Sequence, residues 1–535
     1  MPKTAGATLT WWGWGLPAHP PELDPVARRW LADATGWRPR PTPRVSAVAL
    51  PPGVLPETAR AALTAAVGTA HVSLDNDSRL LHAGGRSYLD LLNRRAGTAD
   101  APDAVVTPAD HDEVAAVLAA CVEHRVAVVP FGGGTSVVGG VQPVRGDFVA
   151  VVALDLARLD RLVDVDPESR TASLQAGLRT PRAEALLAEH GLTLGHTPQS
   201  AEFATIGGYA ATRSSGQSST GFGRFDDMVV GLRAVTPAGS LELGRAPRSA
   251  AGPDLRHLLL GSEGTLGVIT EATLRVRRIP ETRRYEAFSF RTFPDGLAAV
   301  RTLVQDGIAP DVVRLSDVDE TRANLVLAGA GAAARLYLAG RGHGAGCIAI
   351  LGWEGDQATV RARHQLATRT IRTQHGIRLG TKPGEAWRRE RFAAPYLRDL
   401  LLDVGLLVET VETATAWSAL PRLHAAIRAA LAGSLSRPLI MSHVSHTYPA
   451  GASLYVTVLA DRDDADPVGQ WQRAKTAASQ AIVDTGATIT HHHGIGIDHR
   501  SWMRQEIGDP GLAALRAVKQ TLDPTGILNP GKLLP

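Results

Sequence analysis

Hydrophobic positions along this chain follow helical spacing in some stretches and short continuous runs in others, and the alternation of the two sets the expected architecture. Behind Asp110-x-x-Glu113, which reads as a capping box, Val114, Leu118 and Cys121 fall on one helical face, and the run Val126 to Val129 follows as a short buried strand. Further apolar runs predict strands at Phe148 to Leu154, Ala172 to Ala176, Met228 to Val235 and Val268 to Val276, with a helix over Pro181 to His190. This is the pattern of a mixed α+β nucleotide domain. After Pro280 longer helical stretches alternate with apolar runs at Ile348 to Gly352 and Leu454 to Leu459, which predicts a second domain. Within it Leu397, Leu400, Leu401, Val404 and Leu407 form a stripe at helical spacing, read as a core-facing surface in preference to a channel wall.

The polar and breaker residues divide these blocks. Prolines at 39, 41, 43, 51, 52 and 56 argue for a stiff, extended connector after an N-terminal segment whose Trp11-Trp12-Gly13-Trp14-Gly15 cluster is expected to be a packing anchor. Near the other end Asp523-Pro524-Thr525-Gly526 and Asn529-Pro530-Gly531-Lys532 are turn-forming. The 535 residues are enough for several domains, and Cys121 and Cys347 are too few and too far apart for a disulfide framework or a thiolate zinc site. A net charge of +3 from 56 basic and 53 acidic residues, interspersed, excludes the basic stripe that nucleic-acid binding requires. With no apolar signal segment before Trp11 and no long uncharged apolar run, a cytoplasmic protein without a transmembrane segment is expected, with room for peripheral membrane contact.

The chemistry begins at the loop after Val129. Pro130-Phe131-Gly132-Gly133-Gly134-Thr135-Ser136 sits at a strand's C-terminal end, where open α/β folds receive ligands, and consecutive glycines let backbone N–H groups converge on an anion. Neither G-x-G-x-x-G in its βαβ setting nor G-x-x-x-x-G-K-[ST] is present there, so the Rossmann and P-loop fingerprints both weaken. Further glycine-bearing segments follow: Thr205-Ile206-Gly207-Gly208, then Thr212-Arg213-Ser214-Ser215-Gly216, then Glu263-Gly264-Thr265-Leu266-Gly267-Val268-Ile269-Thr270.

Together these segments resemble the flavin domain of the vanillyl-alcohol oxidase and p-cresol methylhydroxylase superfamily. Trp12-Gly13-Trp14-Gly15, Gly195-His196-Thr197-Pro198, Arg314-Leu315, Tyr396-Leu397-Arg398-Asp399, Glu412-Thr413-Ala414, Gly451-Ala452-Ser453-Leu454-Tyr455 and His491-His492-His493-Gly494-Ile495-Gly496 extend the likeness from Trp11 to Leu534. Over that span the chain resembles the alkylglycerone-phosphate synthase family. The resemblance implies an α+β fold: a two-subdomain FAD-binding domain at 101–281 and an α+β substrate-binding cap at 282–488. An N-terminal segment at 1–100 and a C-terminal histidine-loop segment at 489–535, returning to the flavin site, complete it. It implies FAD held by Pro130, Phe131, Gly132, Gly133, Gly134, Thr135, Ser136, Gln199, Thr205, Gly207, Gly208, Thr212, Ser215, Gly216, Glu263, Gly264, Gly267, Val268 and Ile269. The first loop holds no His or Cys of the kind that attaches flavin covalently in the wider superfamily, so the FAD is expected to be noncovalent. In the family the flavin N5 takes carbon C1 of an acyl dihydroxyacetone phosphate, the fatty acid leaves and a long-chain alcohol replaces it, with no net redox turnover.

The same resemblance places His196, Tyr455, His492 and His493 in the active site, with Arg398 and Arg314 near the substrate, where guanidinium groups clamp phosphate or carboxylate. Imidazoles suit the proton transfers such an exchange needs. Read as a strand end, the histidine run puts His491 and His493 on one face and His492 on the other. A solvated run and a metal pair are the alternatives, and no metal site is assigned because the spacing, with Asp498 and His499 nearby, matches no common metal motif. Two residues depart from the animal synthases: Gln199 stands where they have an aspartate, and His443 where they have an arginine. The alternative function is an FAD oxidoreductase acting on a 2-hydroxy acid or other alcohol, although the G-D-G-N-x-H signature of the hydroxy-acid dehydrogenases is absent. The expected partner is a small lipid-like or hydroxy-acid substrate, and the expected assembly a homodimer.

Overall fold

The computed structural model of the chain describes residues 10–15, 23–42, 45–327, 329 and 332–535; Pro43, inside the proline-rich connector, lies outside them. Three principal sheets carry the fold. The first has the order Val72–Ser73, Ala104–Val106, Ala150–Asp155, Val126–Phe131, its last three strands running parallel. The second is antiparallel, in the order Leu162–Asp166, Thr171–Gln175, Val268–Arg275, Val229–Thr236, Gly239–Leu243. The runs that predicted strands at 126, 148, 172, 228 and 268 all become strands of these two sheets, and the predicted helix forms at Thr180–Ala188. One hydrophobic core joins both sheets, with Val114, Val117, Leu118 and Cys121 of the helix His111–Glu123 buried against it. The capping box is shifted: Asp110 accepts from the N–H groups of Asp112 and Glu113, but Glu113 reaches back to the N–H of Ala109, one residue early.

The third sheet has seven antiparallel strands in the order Ile377–Gly380, Thr282–Phe290, Cys347–Gly355, Val312–Ser316, Leu439–Thr447, Gly451–Asp461, Leu406–Ala416. Helices Phe293–Gln305, Gln357–Thr373, Leu420–Ser434 and Pro467–Asp484 cover one face and share a core with it. The tryptophan cluster packs as expected: Trp14 is 4% exposed and meets Phe203 edge-on at 5.5 Å. The chain end returns to the first sheet, where Val128 donates to Ile527 O and Asn529 N donates back to Val128 O, both at 2.8 Å. Asn529 then ties the C-terminal turn to the glycine loops by donating from Nδ2 to Gly140 O at 2.9 Å and Glu263 O at 2.7 Å.

One buried carboxylate locks the edge of the seven-stranded sheet. Glu286 accepts from Arg284 at 2.6 Å, from Arg378 Nε at 2.8 Å and from His364 at 3.0 Å, joining two strands and a helix. Burial pushes its carboxyl up, but the hydrogen bonds from Arg378, His364 and Arg284 outweigh burial and take it down to about 2. A carboxyl depressed in the folded state contributes stability above its unfolded value of 4.5, lost as pH falls toward 2. Glu286→Gln is therefore expected to cost about 3 kcal/mol at pH 7, with the guanidinium groups of Arg284 and Arg378 left without their carboxylate. The gap from the parent protein should narrow progressively below pH 4.5, as urea unfolding at a series of pH values would measure.

Candidate active site

The glycine segments meet because their backbones touch. A side chain on Gly133 would lie 2.2 Å from the carbonyl oxygen of Phe203, and Gly264, at φ +73°, would press on Pro130 at 2.8 Å. The three turns thus interlock without side chains between them, and together they wall one cavity of about 430 Å³. Every residue of the Pro130–Ser136 loop borders it, as do Gln199, Thr205, Gly207, Gly208, Thr212, Ser215, Glu263, Gly264, Gly267, Val268 and Ile269. Gly216 does not; it stands behind the wall, where a Cβ would be 2.8 Å from Thr197 N. No acceptor among the described residues takes the N–H of Gly132, Gly133, Gly134 or Thr135. Four successive unpaired amides at a cavity wall fit the diphosphate of a dinucleotide, since buried N–H groups are otherwise almost always satisfied.

Opposite the loops stand the strands of the seven-stranded sheet. Antiparallel register sets Tyr455 between His443 and Glu412, and the Tyr455 ring stacks on His443 at 4.9 Å and faces His492 at 6.1 Å. The histidine run is a bend and not a strand end, so the predicted alternation of faces fails. Its cause is Glu412, 2% exposed, whose carboxylate accepts the N–H of His491 at 2.8 Å, of His492 at 3.1 Å and of His493 at 2.9 Å, besides the Thr490 hydroxyl. An extended chain cannot aim three consecutive amides at one acceptor. The wrap puts His492 and His493 at the cavity and turns His491 away to Tyr448, 2.7 Å from its hydroxyl.

Electrostatics follow from burial. Burial opposes ionisation of Glu412, yet the neighbouring His492 and His493 and the His492 hydrogen bond hold its carboxyl well below the usual range. Burial pushes the His493 imidazole down to about 3 and the Tyr455 phenol up to about 12, leaving a neutral imidazole beside a protonated phenol. Arg314 and Arg398 both border the cavity. Arg314 is already matched by Glu320 and lies 3.1 Å from His443 Nε2, whereas Arg398 donates to Arg86 O at 2.8 Å and has Nε and Nη2 without hydrogen-bond partners.

His196 does not reach the cavity. It lies behind the wall, 1% exposed, with Nε2 3.2 Å from Ser214 Oγ and its ring against Tyr209 and Phe225, and burial takes it down to about 3. Leu397, Leu400, Leu401 and Val404 all pack into one apolar cluster, as a core-facing stripe should, and Leu397 and Leu401, one turn apart, also border the cavity. With Leu23, with Trp30 and Leu31 of the helix Pro25–Thr35, and with Leu439, Met441 and Leu459, Leu397 and Leu401 build an apolar chamber continuous with the polar centre. Sequence reasoning named Glu412 without a function, and it passed over His446, which also borders the cavity with Nδ1 2.6 Å from Ser219 Oγ. The only signal was the spacing His443-x-x-His446 within one strand.

Residues 102–243 match the family described as FAD binding domain, and residues 279–533 the family described as FAD linked oxidases, C-terminal domain. Fold and cavity define an FAD-binding flavoprotein of the p-cresol methylhydroxylase type. A substrate-bound structure of that enzyme has the same fold, with a TM-score of 0.69 at 17% identity over 90% of this chain and 98% of its own. Alkyldihydroxyacetonephosphate synthase of Dictyostelium discoideum is 33% identical over 477 residues, which is 86% of this chain and 78% of the relative. A solved structure of an alkyldihydroxyacetonephosphate synthase superposes with a TM-score of 0.83 at 28% identity, covering 98% of both chains. The chain belongs to the alkyldihydroxyacetonephosphate synthase family.

The interlocked loops give a direct check. Gly133→Ala puts a methyl against the Phe203 carbonyl and is expected to cost about 1–3 kcal/mol of stability. Because the loop must shift, the purified variant should also carry little FAD, read as flavin absorbance relative to protein.

Proposed function

We propose that this protein exchanges the acyl group of an acyl-dihydroxyacetone phosphate for a long-chain alcohol, using noncovalent FAD. The observation that carries this reading is the continuity of one cavity from the unpaired amides of the glycine loop, past Tyr455, His492 and His493, into the chamber lined by Leu23, Leu31, Leu397, Leu401, Leu439 and Leu459. A hydroxy-acid oxidoreductase has no use for such a chamber; a reaction with an acyl chain leaving and an alkyl chain entering needs one. The absence of His or Cys from the first loop, and of Cys121 and Cys347 from the cavity wall, supports noncovalent attachment.

When bound between the glycine loops, FAD would supply a nucleophilic flavin nitrogen, N5, to activate carbon C1 for exchange of its oxygen substituent. The chain's own groups handle charge and protons. The neutral His493 ring would take the proton from carbon C1 and return it once the alcohol has replaced the carboxylate, the alcohol's own proton leaving to solvent, while the Tyr455 hydroxyl would hydrogen-bond the departing carboxylate. His492 flanks Tyr455, and Glu412 fixes the backbone of the whole strap. Arg398 borders the cavity with Nε and Nη2 free of hydrogen bonds and only a longer ion pair to Asp399, at 3.8 Å, so it is the cation that receives the substrate's anionic group, whereas Arg314 is hydrogen-bonded to Glu320. No helix among the described residues is long and apolar enough to cross a membrane. The same reading takes the substrate as lipid-like, reached by peripheral contact from the cytoplasm, and the assembly as a homodimer, which light scattering after gel filtration checks.

Labelled fatty acid should be released from acyl-dihydroxyacetone phosphate in the presence of hexadecanol, with alkyl ether formed in equal amount. FAD-loaded protein that releases none, but whose flavin is bleached anaerobically by a 2-hydroxy acid, would instead establish the oxidoreductase. Tyr455→Phe and His493→Ala are each expected to lower the exchange rate by about 100-fold or more while FAD content holds. Leu401→Trp should narrow the chamber and shift preference toward short alcohols by about tenfold, measured as kcat/KM across chain lengths.

A further inference from the structure

His446, His491 and His492 come from two separate parts of the chain, yet each offers a ring nitrogen and these nitrogens lie within 4.8 Å of one another. The outer nitrogens of the two buried rings are already committed. Nδ1 of His446 is 2.6 Å from Ser219 Oγ and 3.2 Å from Ser215 Oγ, which leaves Nε2 free. Nε2 of His491 is 2.7 Å from the Tyr448 hydroxyl, which leaves Nδ1. That Nδ1 stands 3.0 Å from Nδ1 of His492. Two ring nitrogens cannot face each other with bare lone pairs at this distance, so a proton or a cation has to sit between them. A buried carboxylate is beside them: Glu412 Oε2 is 3.2 Å from His492 Nδ1.

We propose that His446, His491 and His492 form a binding site for a divalent first-row metal ion of the zinc class, with its fourth position open to the cavity. The donor set is three imidazoles, which suits zinc, cobalt or nickel and not magnesium or calcium. Hydroxyls on the far ring nitrogens hold two of the ligands in one orientation, the usual outer support of a metal-bound histidine. A tetrahedral ion with Zn–N bonds near 2.05 Å spaces its ligand nitrogens about 3.4 Å apart. The His491–His492 spacing, 3.0 Å, is already close to this, and the remaining spacings, all within 4.8 Å, close by a small inward shift of the rings. The negative charge of Glu412 offsets the charge of the ion. His446 and His492 border the cavity, so the open position faces the space where the substrate's oxygens lie, and it would take a carbonyl or carboxylate oxygen. This set is distinct from His493 and Tyr455, and its existence does not depend on which reaction the flavin supports.

The test uses untagged, FAD-loaded full-length protein stripped with chelator and titrated with Co2+ and Zn2+. The expected result is one ion per chain by elemental analysis, visible Co2+ bands of tetrahedral intensity, and displacement of cobalt by zinc. His446→Gln and, separately, His491→Gln should each weaken binding by about tenfold or more and abolish the bands, with FAD content and circular dichroism reporting that the variants are folded. Absence of stoichiometric binding in the parent protein overturns the proposal without any variant. So does binding that survives both substitutions, or that Mg2+ matches.

Discussion

The carboxylate of Glu412 is the point on which the active centre is built. It lies on Leu406–Ala416, the edge strand of the seven-stranded sheet, yet is nearly inaccessible to water, and it gathers the amides of three successive histidines and a threonine hydroxyl. An isolated buried charge is costly, and hydrogen bonds from several donors offset that cost. The backbone therefore bends around it, and the bend decides which imidazoles meet the cavity and which turn toward Tyr448 and His446. Without that anchor, a Gly-rich segment carrying three histidines would have no reason to hold a single arrangement. The same strand pairs with the strand of Tyr455, so one register fixes both the phenol and the strap.

Burial then sets the chemistry. The rings of His446, His491 and His493 are all driven down by desolvation, and the Tyr455 phenol is driven up, so the site offers proton acceptors and a proton donor without carrying a large net charge. Beside this polar centre the apolar chamber is built from elements distant in sequence: a helix near residue 30, another near residue 400 and three strands. The two environments share a wall, which is the arrangement a substrate with a charged head and a hydrocarbon tail requires.

Much of this was legible in the sequence, for physical reasons. Short apolar runs became strands where predicted because Val126–Phe131 and Ala150–Asp155 are buried on both faces and the others on at least one, and the glycine segments announced a cavity because only glycine permits loops to touch backbone to backbone. The readings that failed concern what lies between elements. The alternation rule for His491 to His493 assumed an extended chain, and nothing near those residues discloses a carboxylate about eighty positions away. His196 was placed by resemblance at the reacting centre, but it is enclosed by Tyr209, Phe225 and Ser214. The stripe of leucines from 397 to 404 was read as core, which it is, but Leu397 and Leu401 also border the cavity. A one-dimensional pattern records that a face is apolar and carries no information about whether protein or ligand covers it.

The return of the chain end to the first sheet has a consequence for the order in which the molecule is assembled. Asn529 bonds to Gly140 across 389 residues and to Glu263 across 266, and its backbone completes the ladder beside Val128. Contacts of such long sequence separation close late, after the local ones are in place. From the moment they are made, the glycine loops of a nascent chain therefore stay without this brace, and they gain it only when the final turn arrives. The shape of the dinucleotide cavity is in this way tied to completion of the polypeptide, because the turn that braces its loops is among the last residues made.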